Sequence, residues 1–194
     1  SKGEFGKIPE GWKIGKLSDL AVITMGQSPR SNFYNEIGDG LPFHQGVTNF
    51  GFRFPVTTIY STEGLRKAET GDILFSVRAP VGRINVADRD MIVGRGLAAL
   101  MSISEHQSFL LYSLKHLFQT EDLIGGGAIF ASVTKDDLNN FSVVVPDASI
   151  TEKFESLIHP LDELILNISN ELSILKNGRD LLLPKLVTGD IVVK

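Results

Sequence analysis

The sequence contains no cysteine, which excludes disulfides and thiolate metal sites and suits a reducing compartment. No apolar run approaches the roughly 18 residues that a bilayer span requires, and residues 1–12 are too polar for a secretory signal. These absences point to a soluble, cytoplasmic protein with no membrane partner. Positive charge is also scarce: 19 Lys and Arg stand against 23 Asp and Glu, a net charge of −4. That balance argues against a chain that grips phosphate by Lys and Arg over its whole surface. The deficit is uneven. Residues 147–194 hold 5 basic and 8 acidic side chains, whereas in residues 78–95 Arg78, Arg83, Arg89 and Arg95 face only Asp88 and Asp90. A local excess of positive charge therefore lies in one short stretch. With 42% hydrophobic and 22% charged residues, the chain has the means to bury a core.

Two kinds of pattern follow one another. Up to about Pro146 the text is broken by Gly and Pro, with short β-branched or aromatic runs at 20–25, 72–77, 83–87, 91–93, 97–103 and 141–145 that read as strands. Gly64, Gly71, Gly82, Gly94 and Gly96 mark turns or bulges between them. A Leu-, Phe- and Tyr-rich stretch at 106–123, free of Gly and Pro, predicts a helix that stops before the glycines at 125–127. A shorter helix is expected to start at Thr134 as N-cap, with Asp136 and Asp137 in its first turn. The composite is an α+β, mostly β domain with a few helices. Beyond Pro146 the period changes: Phe154, Ile158, Leu161, Ile165, Ile168, Leu172, Leu175, Arg179 and Leu182 are spaced by alternating steps of four and three. That is a heptad seam, interrupted only by Arg179, on a helix whose other faces carry Glu152, Lys153, Glu155, Asp162, Glu163, Glu171 and Lys176. Pro160 removes one backbone donor from it, so a kink or a restart is expected there. The apolar stripe needs a partner, either another helix or the chain's own domain.

Catalytic arrangements are weak. His44 and Asp39 could form a base with its orienting acid, but no nucleophile in a recognisable setting accompanies them. His106 and His116 are ten residues apart on one expected helix, and His159 precedes a proline, so the histidines do not cluster as metal ligands. The two acids of Ala-Asp-Arg-Asp at 87–90 sit in a polar turn and read as solvating a hairpin. Gly-Gly-Gly-Ala-Ile-Phe at 125–130 lacks the Lys-Ser/Thr ending of a phosphate loop and reads as a helix stop. No catalytic residue and no metal site is assigned.

The polar loops at 26–40 and 43–54 carry Gln27, Ser28, Arg30, Ser31, Asn32, Tyr34, His44, Gln45, Thr48, Asn49 and Arg53 between aromatic residues. Arg, Gln and Asn pair bidentately with base edges, while Ser, Thr and Tyr commonly touch phosphate. The same residues are ordinary in loops, with the phenylalanines anchoring them in the core. Arg78 and Arg83 flank the turn Ala-Pro-Val-Gly behind the apolar run 72–77, where side chains can project from a rigid base.

Four stretches, taken in order, resemble one family: IPEGWKIGKLSDLA (8–21), GQSPRSNFYNEIGDGLPFHQG (26–46), GDILFSVRAPVGRINVADRDMIVGRGLAAL (71–100) and RDLLLPKLVTGDI (179–191). They are similar to the specificity subunit of type I restriction-modification systems. A full subunit of that family has two target recognition domains, each followed by a long helix, and the two helices pair in an antiparallel coiled coil. The resemblance therefore implies one half of such a subunit: a target recognition domain at 1–147 and a spacer or dimerisation helix with its tail at 148–194. The opening residues 1–12 resemble the linker after the first such helix, which favours a fragment over a short natural gene product. The implied role is to read half of a bipartite double-stranded DNA target and dock a modification subunit. That subunit would bring S-adenosylmethionine and methylate adenine, with a restriction subunit in the full complex and no catalysis by this chain. The candidate DNA-binding residues are Gln27, Ser28, Arg30, Asn32, His44, Gln45, Asn49, Arg53, Arg78, Arg83 and Arg95. Helix pairing, with a second copy or the other half, falls to Phe154, Ile158, Leu161, Ile165, Ile168, Leu172, Leu175 and Leu182. Two other readings stay open: an orphan half that only competes for helix partners, and an enzyme built around His44 and Asp39.

Overall fold

A computed structural model describes residues 8–120 and 132–191. Residues 1–7, the end of the expected helix at 121–123 and the glycine run at 125–130 lie outside them. In chain order the elements are β1 (Lys13–Lys16), α1 (Leu17–Leu20), β2 (Ala21–Met25), β3 (Tyr34–Asn35), β4 (Leu41–His44), β5 (Tyr60–Ser61) and β6 (Lys67–Ala68). They continue with β7 (Ile73–Ser76), β8 (Ile84–Val86), β9 (Met91–Val93), β10 (Leu97–Ser102), α2 (Gln107–Thr120), α3 (Lys135–Asn139), β11 (Ser142–Val145) and α4 (Ala148–Val187). The chain divides into two compact units, Ser1–Glu155 and Ser156–Lys194.

The first unit is built on a four-stranded antiparallel sheet in the order β2-β10-β7-β8. All four residues of β7 are buried, which explains why Ile73, Leu74 and Phe75 are apolar on both faces before the buried Ser76. Successive side chains point to opposite faces. Ile73, Phe75, Ala98 and Leu100 join Leu110, Leu111 and Leu114 of α2 in one cluster. Leu74, Leu97 and Ala99 join Met91 and Val93 in a second. A five-stranded sheet, β3-β5-β4-β9-β6, supplies β9 to that second cluster and is mixed, because β4 and β9 run parallel. The two-stranded sheet of β1 and β11 closes the unit by joining its beginning to its end. α3 starts as its sequence implies: Thr134 accepts from the Asp137 N–H, and the Asp137 carboxylate accepts in return from the Thr134 N–H at 2.8 Å.

The unit ends inside α4, two turns past Pro146, because that segment is tied to it. Thr151 is buried, and the Phe154 ring meets Phe109 and Tyr112 edge-on at 6.0 and 6.1 Å. Both Glu155 carboxylate oxygens accept from the first turn of α2, Oε1 from Ser108 N–H at 3.1 Å and Oε2 from Phe109 N–H at 3.0 Å. This corrects two sequence expectations. Phe154, placed in the pairing seam, spends its ring on α2, and Glu155, placed on a wet face, caps a helix.

The second unit continues α4 without a break through Pro160, so the helix does not restart there. Its 40 residues correspond to about 60 Å at 1.5 Å per residue. Leu161, Ile165, Ile168, Leu172, Leu175 and Leu182 of the seam are all exposed in the chain alone. So are Leu157, Leu164, Ile174, Leu181 and Leu183, which makes the apolar surface wider than the seam. No helix among the described residues is long and apolar enough to cross a membrane.

Candidate nucleic-acid interface

The antiparallel register brings one end of four strands together. Met25 at the close of β2 pairs with Ala98, Leu97 at the start of β10 pairs with Ser76 at the close of β7, and Phe75 pairs with Ile84 at the start of β8. Residues just beyond those strand ends therefore share an edge: Gln27 and Ser28, Arg95, Arg78, and Arg83. Four strands at about 4.8 Å spacing span roughly 15 Å from the first to the last. The parallel pair adds to the same end, since His44↔Val93 closes both β4 and β9 and releases Gln45 and Gly94 beside each other.

Backbone hydrogen bonds lock these loops together. Gly94 N–H donates to His44 O at 2.8 Å, Gly96 N–H to Gln45 O at 2.9 Å, and Gln27 N–H to Val93 O at 2.9 Å. The approach leaves no room for side chains: a Cβ on Gly94 would lie 2.7 Å from Gln45 Cα, and one on Gly96 would lie 2.6 Å from Gln45 O. Within this knot the Ser28 hydroxyl donates to Gln45 Oε1 at 2.8 Å and accepts the Arg95 N–H at 3.2 Å. Gln45, Gly46, Thr48 and Asn49, with Phe43, His44 and Ile59, line an adjoining cleft of about 200 Å³.

The arginine turn has its own support. Ser76 is fully buried, and its hydroxyl donates to Pro80 O at 2.6 Å while accepting the Arg83 N–H at 2.8 Å. Val77 N–H donates to Gly96 O at 2.9 Å, which sets Arg78 beside the Arg95 loop. Arg30, Arg78, Arg83 and Arg95 are exposed, and none of their guanidinium groups pairs with another side chain among the described residues.

Other candidates are occupied. His44 is 2% exposed, and its Nε2 lies 3.2 Å from Thr57 Oγ1. Burial lowers its pKa, against an opposing pull from Asp88. Asp39 is instead exposed in a loop where the Asn35 side chain bonds its backbone N–H and C=O, and His44 pairs with Thr57, not with Asp39, among the described residues. Arg53 is 8% exposed; Nη1 donates to the Tyr112 hydroxyl at 3.0 Å and the guanidinium lies over Phe54 and Tyr112. Both residues are removed from the set facing outward, because a side chain spent in the core cannot reach a base. Asn49 uses its amide to donate to Thr58 Oγ1 at 2.9 Å. Asn32 is exposed, in the 3-10 turn Ser31–Phe33. Phe52, expected to anchor its loop in the core, is instead fully exposed at the tip of the hairpin closed by Phe50 and Pro55. Its neighbour Gly51 is held by the Asn85 amide at 3.0 Å. Of the acids at 87–90, Asp88 pairs with Arg89, and Asp90 accepts from both N–H and hydroxyl of Thr70. No group of three or more His, Asp or Glu among the described residues is placed to hold a metal ion.

Cations and amides are thus held side by side at one rigid sheet end. The family described as type I restriction modification DNA specificity domain matches residues 9–175, and the chain belongs to it. It is 36% identical to a putative type I restriction enzyme MjaX specificity subunit of Methanocaldococcus jannaschii, over 100% of this chain and 46% of that protein. Among solved structures, the HsdS subunit from Thermoanaerobacter tengcongensis matches with a TM-score of 0.66 at 33% identity, covering 97% of this chain and 47% of that one. A chain from a structural study of complex assembly and conformational transition of the type I R-M system matches with a TM-score of 0.69 at 33% identity, covering 94% and 47%. The chain thus spans about half the length of the relatives it matches.

Proposed function

We propose that this chain is one half of a specificity subunit, which reads one half of a bipartite double-stranded DNA target and has no catalytic role of its own. The observation that carries this reading is the convergence of Gln27, Ser28, Gln45, Arg78, Arg83 and Arg95 at one end of two sheets, on loops fixed by backbone hydrogen bonds. A front of about 15 Å is wider than a major groove of about 12 Å, so the central Arg95 and Arg78 meet base edges while Arg83 and Ser28 at the flanks meet phosphates. A modification subunit docks on the chain, brings S-adenosylmethionine and methylates adenine; a restriction subunit joins in the full complex. Those partners supply the part of the phosphate grip that a net charge of −4 withholds.

The exposed seam of α4 takes a second helix, from another copy or from the other half of a full subunit. The same seam favours a second reading, a half-subunit that competes for helix partners without productive DNA binding. Selection of bound duplexes from a random library, repeated at two salt concentrations, separates the two. DNA reading gives an enriched motif with affinity that falls steeply with salt. Helix-mediated association with no motif supports the competitor.

A further inference from the structure

We infer that Gln45 is a base-reading residue of this interface, that it reads the adenine of an A·T pair from the major groove, and that Ser28 is the positioning residue that sets its amide. This rests on the DNA-reading function proposed above. An exposed glutamine rotates freely about three bonds and loses that freedom on binding, which weakens discrimination. Gln45 has already lost much of it. Its backbone is clamped, with its C=O accepting from Gly96 N–H at 2.9 Å, and its Oε1 accepts from the Ser28 hydroxyl at 2.8 Å. That hydroxyl is itself oriented, because it accepts the Arg95 N–H at 3.2 Å.

Oε1 of Gln45 faces the Ser28 hydroxyl, which leaves the NH₂ group turned away from it, with no partner among the described residues. Oε1 keeps one lone pair. An amide presenting one free acceptor beside two free donors matches adenine, whose N6 amino group donates and whose N7 accepts. Guanine offers two acceptors at that edge and gives the free oxygen nothing to bind. The adjoining cleft adds to the choice: Phe43, Ile59 and Thr48 line it beside Gln45, an apolar seat suited to the C5-methyl of thymine.

The test is selection from a random duplex library by the full chain, alone and again with a modification subunit of the family added, comparing wild type with three variants. The wild type is expected to enrich a motif with an adenine that Gln45→Glu loses by about ten- to a hundredfold, the same position turning toward cytosine, whose N4 amino group donates to a carboxylate. Ser28→Ala should blunt preference at that position alone, leaving the salt dependence of affinity unchanged, and Ser28→Thr, which keeps the hydroxyl, should restore it. Thermal melting of each variant checks that the fold is intact. A motif that Gln45→Glu leaves unchanged at every position overturns the inference and leaves the proposed function standing. A Ser28→Ala motif as sharp as the wild type removes Ser28 from it. No motif with the wild-type chain in either setting overturns both the inference and the function it rests on.

Discussion

Replacing Glu155 by Ala should destabilise the β-rich unit by about 2–3 kcal/mol, although Glu155 lies in a helix that reads from sequence as a solvated rod. The first turn of any helix has N–H groups without intrahelical partners. In α2 two of them, Ser108 and Phe109, are satisfied by the two oxygens of this one carboxylate. Ser108 is 3% exposed, so water cannot easily replace the lost acceptor there, and a buried unsatisfied donor costs about 1–3 kcal/mol. Phe109 is more accessible and contributes less. Removing a negative charge from the positive end of the helix dipole adds about 0.3–1 kcal/mol. Glu155→Gln should cost about half as much, since one oxygen remains and the amide nitrogen faces a donor. Urea unfolding followed by fluorescence of the single Trp12 together with far-UV ellipticity measures this; with a slope of about 2 kcal/mol/M, the Ala midpoint should fall by roughly 1–1.5 M. An Ala variant within about 0.5 kcal/mol of wild type would refute the capping argument.

Three further outcomes are expected. Burial raises the Asp72 pKa from 3.8 to about 6; the Glu69 N–H bond opposes this, while the nearby charges of Glu69 and Asp90 add to it. The folded unit thus keeps a proton that the unfolded chain has released, so this group's contribution to stability falls as pH rises through that interval and the loss is complete above it. Asp72→Asn should therefore raise the unfolding midpoint at about pH 8 and leave it nearly unchanged at about pH 4; equal shifts at both would dismiss the linkage. Light scattering of Ile165→Asp with Leu172→Asp should show any wild-type dimer reduced to monomer, with the ellipticity of the β-rich unit retained, because charges in an apolar seam are costly to bury. A dimer that survives both substitutions places the interface elsewhere. Arg78→Ala and Arg83→Ala should each weaken DNA binding, by about 1–3 kcal/mol and only for the preferred sequence if a base is read, or uniformly with a salt slope lowered by about 1 if a phosphate is gripped. Unchanged affinity for all duplexes removes that arginine from the interface.

Local periodicity and end signals made much of this protein legible in its sequence. The apolar run at 72–77 contains β7, Thr134 caps α3 with Asp137 in reply, and the four-three spacing from Ile158 to Leu182 marks the helix and its apolar seam. The family was legible too, through motifs spread along nearly the whole chain. Such features are written within a few residues, where hydrogen-bond period and side-chain alternation act directly. What needed the fold was everything decided across distance. Strands of two residues, β3, β5 and β6, carry no pattern and exist only because neighbours distant in sequence pair with them. Arg53 has a reader's side chain but is held inside by Tyr112, 59 residues away. The same holds for Glu155 on α2 and for Ser28, Gln45 and Arg95, whose meeting depends on glycines that let three backbones touch. By itself the sequence determined which segments are strand, helix and apolar stripe; only the tertiary structure decided which polar groups are spent inside and which are held outward, because burial and pairing are properties of contacts between segments.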